Sequence, residues 1–136
     1  MSYTEIGLLS LVSWYVLLVM SLGAYRTALV FGGKRAANSF SATGDDVDGF
    51  GQRLTRAHAN MFENLPAMAA VMLYAIAADK IAITDGLAYA LVGARVAQSL
   101  VHIMSTANIV VLIRFGFFLV QIFILGFWLL RLFGHL

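Results

Sequence analysis

The sequence predicts an all-α integral membrane protein, a transmembrane four-helix bundle folded as one domain over residues 1–136. Three observations carry that reading. Hydrophobic residues make up 61% of the chain, charged residues only 12%, and the mean hydropathy is +0.86. A soluble domain this small carries about 25% charged residues, because its high surface-to-volume ratio leaves much surface to keep wet. So low a charge content fits a chain whose solvent is lipid.

The first apolar run is the clearest. Ile6 to Tyr25 holds 20 uncharged residues between Glu5 and Arg26, close to the ~20 that cross about 30 Å of hydrocarbon. With Arg26 snorkelling, this span continues through Phe31 to Gly32 and Gly33. No Lys or Arg precedes the run and no Ala-x-Ala-like site follows it, so a retained span is expected rather than a cleaved signal. Trp14 and Tyr15 fall mid-span, away from an interfacial belt, and are expected to face other helices.

Residues 33–52 form the polar stretch, with Asn38, Ser39, Ser41, Thr43, Gly44, Asp45, Asp46 and Asp48 giving loop composition. The second span is less simple. Asn64 to Ala78 gives 15 uncharged residues, too short alone, so the helix carries its polar portion, Arg53 to Glu63, into the interface or deeper. Pro66 falls inside it, tolerated if neighbours satisfy the freed carbonyl; an interfacial helix that breaks at Pro66 is the alternative. Asp79 to Asp85 reads as a short turn, Gly86 to Met104 as the third span, Ser105 to Asn108 as a turn and Ile109 to Leu132 as the fourth span.

Arg26, Lys34, Arg35, Arg53 and Arg56 hold five of the nine basic residues around the long loop. Positive-inside then puts that loop and the Ser105 turn in the cytosol and both termini outside, with the inner cell membrane as the expected location.

Charge also excludes partners. A net charge of +2 and a pI near 9.2 are too mild to argue for nucleic acid. There are no cysteines, so disulfides and cysteine metal sites are out, and any thiol used in chemistry must arrive on a substrate or cofactor. Three scattered histidines show no metal spacing, and no metal is expected.

Charged groups at bilayer depth usually face the bundle interior with a partner. Arg95 lies about 15 Å in from Asp85 and Glu63 about 24 Å from the outer turn, and the gap of about 9 Å is one that two long side chains can span. A Glu63–Arg95 pair is therefore expected, directly or through water. Arg53, Arg56, Asn60 and Glu63 share one face of the second helix, and Arg95, Gln98 (or Ser99) and His102 one face of the third. Asn60 and His102 come out at similar depth. Together they predict a polar, net-positive cleft suited to a small anion, because arginine grips carboxylates bidentately. Plainer readings stand beside this: Arg53 and Arg56 snorkelling to lipid headgroups, Glu63 with Arg95 as a structural pair, and His102 as a hydrogen-bonded bundle histidine. His58 is off the polar face.

The string Arg56-Ala57-x-x-Asn60-x-x-Glu63-x-x-Pro66 resembles the signature of the MAPEG family, the membrane-associated proteins in eicosanoid and glutathione metabolism. Length, four spans, a long first loop and an arginine midway along the third helix also match, so the resemblance covers essentially the whole chain. It implies a homotrimer in which glutathione, or another small anionic thiol, binds in clefts between subunits reached from the cytosolic side. Arg56, Asn60 and Glu63 would hold the tripeptide, Arg95 would be the mid-helix arginine, and His102 falls where a tyrosine is common. The basic contribution from the end of the first helix falls to Lys34 or Arg35.

The resemblance also implies a thiol-activating arginine early in the fourth helix. Its ungapped equivalent is near Val111; Arg114, one turn later, takes the role if the preceding turn carries a short insertion. The expected function is a glutathione-dependent transferase or peroxidase acting on lipophilic electrophiles that enter from lipid. The alternative is a non-catalytic membrane module, an accessory or scaffold subunit or a binder of another anion. A transporter is disfavoured, since inverted repeats and broken-helix pairs are missing from the sequence.

Overall fold

A computed structural model describes residues 1–47 and 49–136; Asp48, one of the loop carboxylates, lies outside the described residues. Four helices follow one another: α1 (Tyr3–Phe31), α2 (Gly49–Ala77), α3 (Ile81–Met104) and α4 (Asn108–Leu132). Among the described residues there are no strands. By length and composition α1, α3 and α4 can each cross a membrane. At about 1.5 Å per residue α2 is as long, but its first half carries the polar motif.

Local chemistry sets the boundaries. Ser2 caps α1 in a reciprocal capping box: its hydroxyl accepts from Glu5 N–H at 3.1 Å, and its own N–H donates to the Glu5 carboxylate at 2.6 Å. Three helices end alike. After α1, Gly33 takes φ 72° and Lys34 N–H returns to the Leu29 carbonyl at 3.0 Å. After α4, Gly134 takes φ 84° and His135 N–H reaches the Leu130 carbonyl at 2.9 Å. After α2, Asp79 takes φ 55° and Lys80 N–H returns to the Ala75 carbonyl at 2.7 Å. Each is a left-handed cap that satisfies otherwise orphaned carbonyls.

The cap at Asp79 corrects the expected turn over residues 79–85. The turn closes by Lys80, and Asp85 lies inside α3, where it accepts the Thr4 N–H at 2.8 Å and the Thr4 hydroxyl at 2.6 Å. The Thr4 and Thr84 hydroxyls meet at 2.6 Å, so this end of α1 is tied to the first turn of α3. Pro66 does not break α2, which runs through it unbroken, with the Asn64 side-chain amide adding a donor to the Asn60 carbonyl one turn earlier.

Packing is up-and-down, with α1, α2 and α3 mutually in contact and α4 lying mainly against α3 and partly against α2, clear of α1. Leu11, Met61, Met68, Met72, Leu91 and Trp128 form the fully enclosed centre. Close approach of α1 depends on Gly7, where an added Cβ would sit 3.1 Å from the Met72 methyl and 3.3 Å from Ala88 Cβ. Trp14 and Tyr15 turn inward as expected, both packing on this core.

The loop after α1 folds back on the bundle. Arg35 pairs with Asp46 at 2.7 Å and also donates to the Asp46 and Ser39 carbonyls. Arg26 and Arg35 lie over the Phe40 ring at 5.2 and 5.0 Å. Gly44, at φ 80°, is buried against Thr55 of α2, where a Cβ would approach the Thr55 Cβ to 3.0 Å. That contact brings residues 42–43 over the polar half of α2.

Candidate functional site

The polar face of α2 opens into a cavity of about 410 Å³ lined by Ala42, Thr43, Arg56, Ala59, Asn60, Glu63, His102 and Arg114. A smaller one of about 200 Å³ shares Arg56, His102 and Arg114 and adds Gln52, Arg53, Thr106 and Val111. The larger volume falls within the roughly 300–1,000 Å³ usual for small-molecule sites. Helical spacing puts Arg56, Asn60 and Glu63 on one stripe of α2. The short turn between α3 and α4 lets His102 and Arg114 meet that stripe from the other side.

The lining has an evident polarity. Arg56 and Arg114 face it with Glu63 as the single carboxylate, so the fixed charge is positive. Glu63 and Arg56 are exposed while Arg114 and His102 are half-buried. Such a lining is complementary to a carboxylate or another small anion at the arginines and to an ammonium at Glu63.

Most of the residues singled out from the sequence meet here. Arg53 contributes differently from Arg56: its Nε donates to the Ile103 carbonyl at 2.6 Å, closing the end of α3, and it reaches only the smaller cavity. Lys34 and Arg35 are not brought to this cleft. Lys34 is exposed beyond the cap of α1, and Arg35 is engaged with Asp46 and Phe40. Val111 lines the smaller cavity, whereas Arg114, one turn on, lines both. His58 lies on another face, stacked on Tyr15 at 5.7 Å between ring centroids.

Arg95 departs from expectation. It makes no direct ion pair with Glu63: Arg35–Asp46 is the ion pair found among the described residues. At 1% exposure, Arg95 lies behind the cleft, donating from Nη2 to Asn60 Oδ1 and from Nη1 to Gln121 Oε1 at 3.2 Å. Its Nε is buried without a partner among the described residues. Counting along the helix fixed the position of Arg95 in sequence but not its rotation, and the guanidinium bridges Asn60 of α2 and Gln121 of α4. Gln98, expected beside it, is buried and accepts from Gln121 Nε2 at 2.7 Å, and Ser99 bonds back to the Arg95 carbonyl.

Sequence reasoning missed Gln121, Thr43 and Ala42. A lone amide within the apolar run of α4 was the available signal for Gln121, because an uncharged polar side chain at bilayer depth seeks a partner. Nothing in the loop composition announced that it folds back. No group of His, Cys, Asp or Glu able to hold a metal occurs among the described residues.

Comparison with protein families gives one match: the sequence model of the MAPEG family aligns with residues 6–134. Neither curated proteins nor solved structures yield a match to the chain.

Proposed function

The chain belongs to the MAPEG family, and on that premise we propose that it is a membrane-embedded glutathione-dependent transferase or peroxidase acting on lipophilic electrophiles. Family members generally use glutathione. The observation that carries the reading for this chain is the lining shared by Arg56, Asn60, Glu63, His102 and Arg114.

The donor set suits glutathione. Its carboxylates match Arg56 and the donor face of Asn60, and its ammonium matches Glu63. Bound there, glutathione supplies a sulfur nucleophile whose bond to an electrophilic carbon forms as the leaving group departs with its electron pair. Arg114 stabilises negative charge at the sulfur by proximity, as a cation beside a thiol does, and the proton released passes to water. His102 lines both cavities with the two arginines and offers the ligand a ring nitrogen as donor or acceptor. Arg53 holds the end of α3 in place at the mouth.

The lipophilic partner enters from the bilayer, because α4 exposes Leu112, Ile113 and Phe115 on either side of Arg114. The reading extends to a homotrimer in which Lys34 or Arg35 serves a neighbouring subunit's cleft, and to an inner-membrane orientation with the long loop cytosolic.

Calorimetric titration of detergent-purified protein with glutathione, followed by turnover of a hydrophobic electrophile, tests this. Saturable binding and thiol-dependent turnover are expected. Binding without turnover on any such electrophile would leave the non-catalytic binder, and no binding would remove the glutathione reading.

A further inference from the structure

Behind the cleft lies an amide network, reaching its wall at Asn60, whose direction follows from a single residue. A guanidinium carries donors and no acceptor. Any amide bonded to Arg95 must therefore turn its oxygen toward it. Asn60 and Gln121 both do so.

The consequences run outward along two branches. With its oxygen committed to Arg95, Gln121 has only its NH₂ left, and it donates to Gln98 Oε1 at 2.7 Å and to the Phe117 carbonyl at 2.9 Å. Gln121 is thus fully engaged, and its 2% exposure leaves no route to water. Asn60 likewise has only its NH₂ left, and its side chain lines the cleft. That amide donates to no described residue.

No carboxylate bonds to Arg95 among the described residues. Its charge is held by neutral amide oxygens, so loss of either one leaves a buried cation with a single anchor. Asn60 of α2 and Gln121 of α4 anchor the guanidinium from two sides, and loss of the Gln121 oxygen leaves it free to turn away from α4.

We propose that Gln121 is a positioning residue, which through Arg95 locks the Asn60 side chain with its N–H donors facing the cleft, so that Asn60 selects a hydrogen-bond acceptor on the bound ligand. The assignment rests on the cleft being the ligand site. It places a determinant of ligand recognition on α4, two side chains away from the ligand itself.

The test compares wild type with Gln121→Leu and Gln121→Glu in detergent, with two readouts. The first is the ¹⁵N side-chain amide spectrum of ligand-free protein, with the Asn60 signals assigned by their loss in Asn60→Ala. The second is glutathione affinity. Gln121→Leu removes the acceptor and should shift or broaden the Asn60 amide signals and weaken binding about fivefold, the effect of one hydrogen bond. Gln121→Glu keeps an acceptor for Arg95, and Gln98 can turn to donate back, so both readouts should return toward wild type.

Asn60 signals unchanged in Gln121→Leu, or a Glu variant indistinguishable from the Leu variant, would overturn the positioning role. If wild type binds no glutathione while the Asn60 signals still follow residue 121, the glutathione reading falls and the positioning role stands.

Discussion

Arg53 Nε donates to the Ile103 carbonyl at 2.6 Å, joining the first turns of α2 to the last turn of α3. A cation at a helix C-terminus answers both an unpaired carbonyl and the negative end of the helix dipole. Arg53 therefore acts on the cleft through the position of α3. Arg53→Met should lower stability in detergent by about 1.5–3 kcal/mol, the range for a charge-assisted bond, as followed by thermal unfolding. Its effect on glutathione affinity should stay smaller than that of Arg56→Met.

Arg56 has no described hydrogen-bond or ion-pair partner and lines both cavities. Arg56→Ala should weaken glutathione binding roughly tenfold or more, since it removes a charge-assisted contact to a carboxylate. Stability should hardly change, because the side chain is exposed. Calorimetry and a melting curve on the same preparation separate the two effects.

Thr4 anchors the opposite end of the bundle. Its buried hydroxyl contacts both Asp85 and Thr84 at 2.6 Å. Thr4→Val should destabilise by about 1–3 kcal/mol by leaving those oxygens poorly satisfied. Thr84→Val should then add less to Thr4→Val than it costs alone, and a double-mutant cycle measures that coupling.

The loop over the cleft should respond to acid. Burial raises the pKa of Asp46, but the Arg35 hydrogen bond, backbone donors at Ser41 and Asp46, and the Arg35 charge outweigh it, so the carboxyl titrates below its ordinary value. A depressed folded-state pKa means that the stabilisation is complete above the unfolded-state value and is lost as pH falls through the folded one. Protection of the amides of residues 33–47 against exchange, taken relative to the intrinsic rate at each pH, should fall on acidification below the usual aspartate range. Asp46→Asn should show low protection at neutral pH and little further acid dependence.

How far the sequence revealed this molecule differs between levels. Span lengths and the charge content made four helices legible, because a bilayer imposes a repeat that no local propensity can hide. The stripe from Arg56 to Glu63 was legible for the same reason, since helical spacing fixes which side chains share a face. Helix rotation was not. Arg95 could be assigned a depth by counting from Asp85, but its bond to Asn60 and Gln121 instead of Glu63 depends on how α3 turns against α4. The fold-back of the loop was also hidden, as it rests on Gly44 meeting Thr55 and on Arg35 finding Asp46. Arg114 was reachable only as a candidate one turn beyond Val111, and its presence in the cleft follows from where the turn before α4 releases the chain.

The proposed chemistry turns on Arg114 activating a thiol held in the cleft. The ultraviolet thiolate band, recorded as a difference spectrum on mixing protein with glutathione at neutral pH, measures this directly in wild type and Arg114→Ala. A saturable band is expected in wild type and is lost in Arg114→Ala while calorimetric binding persists. Binding in wild type with no thiolate band, or a band unchanged in Arg114→Ala, would contradict it.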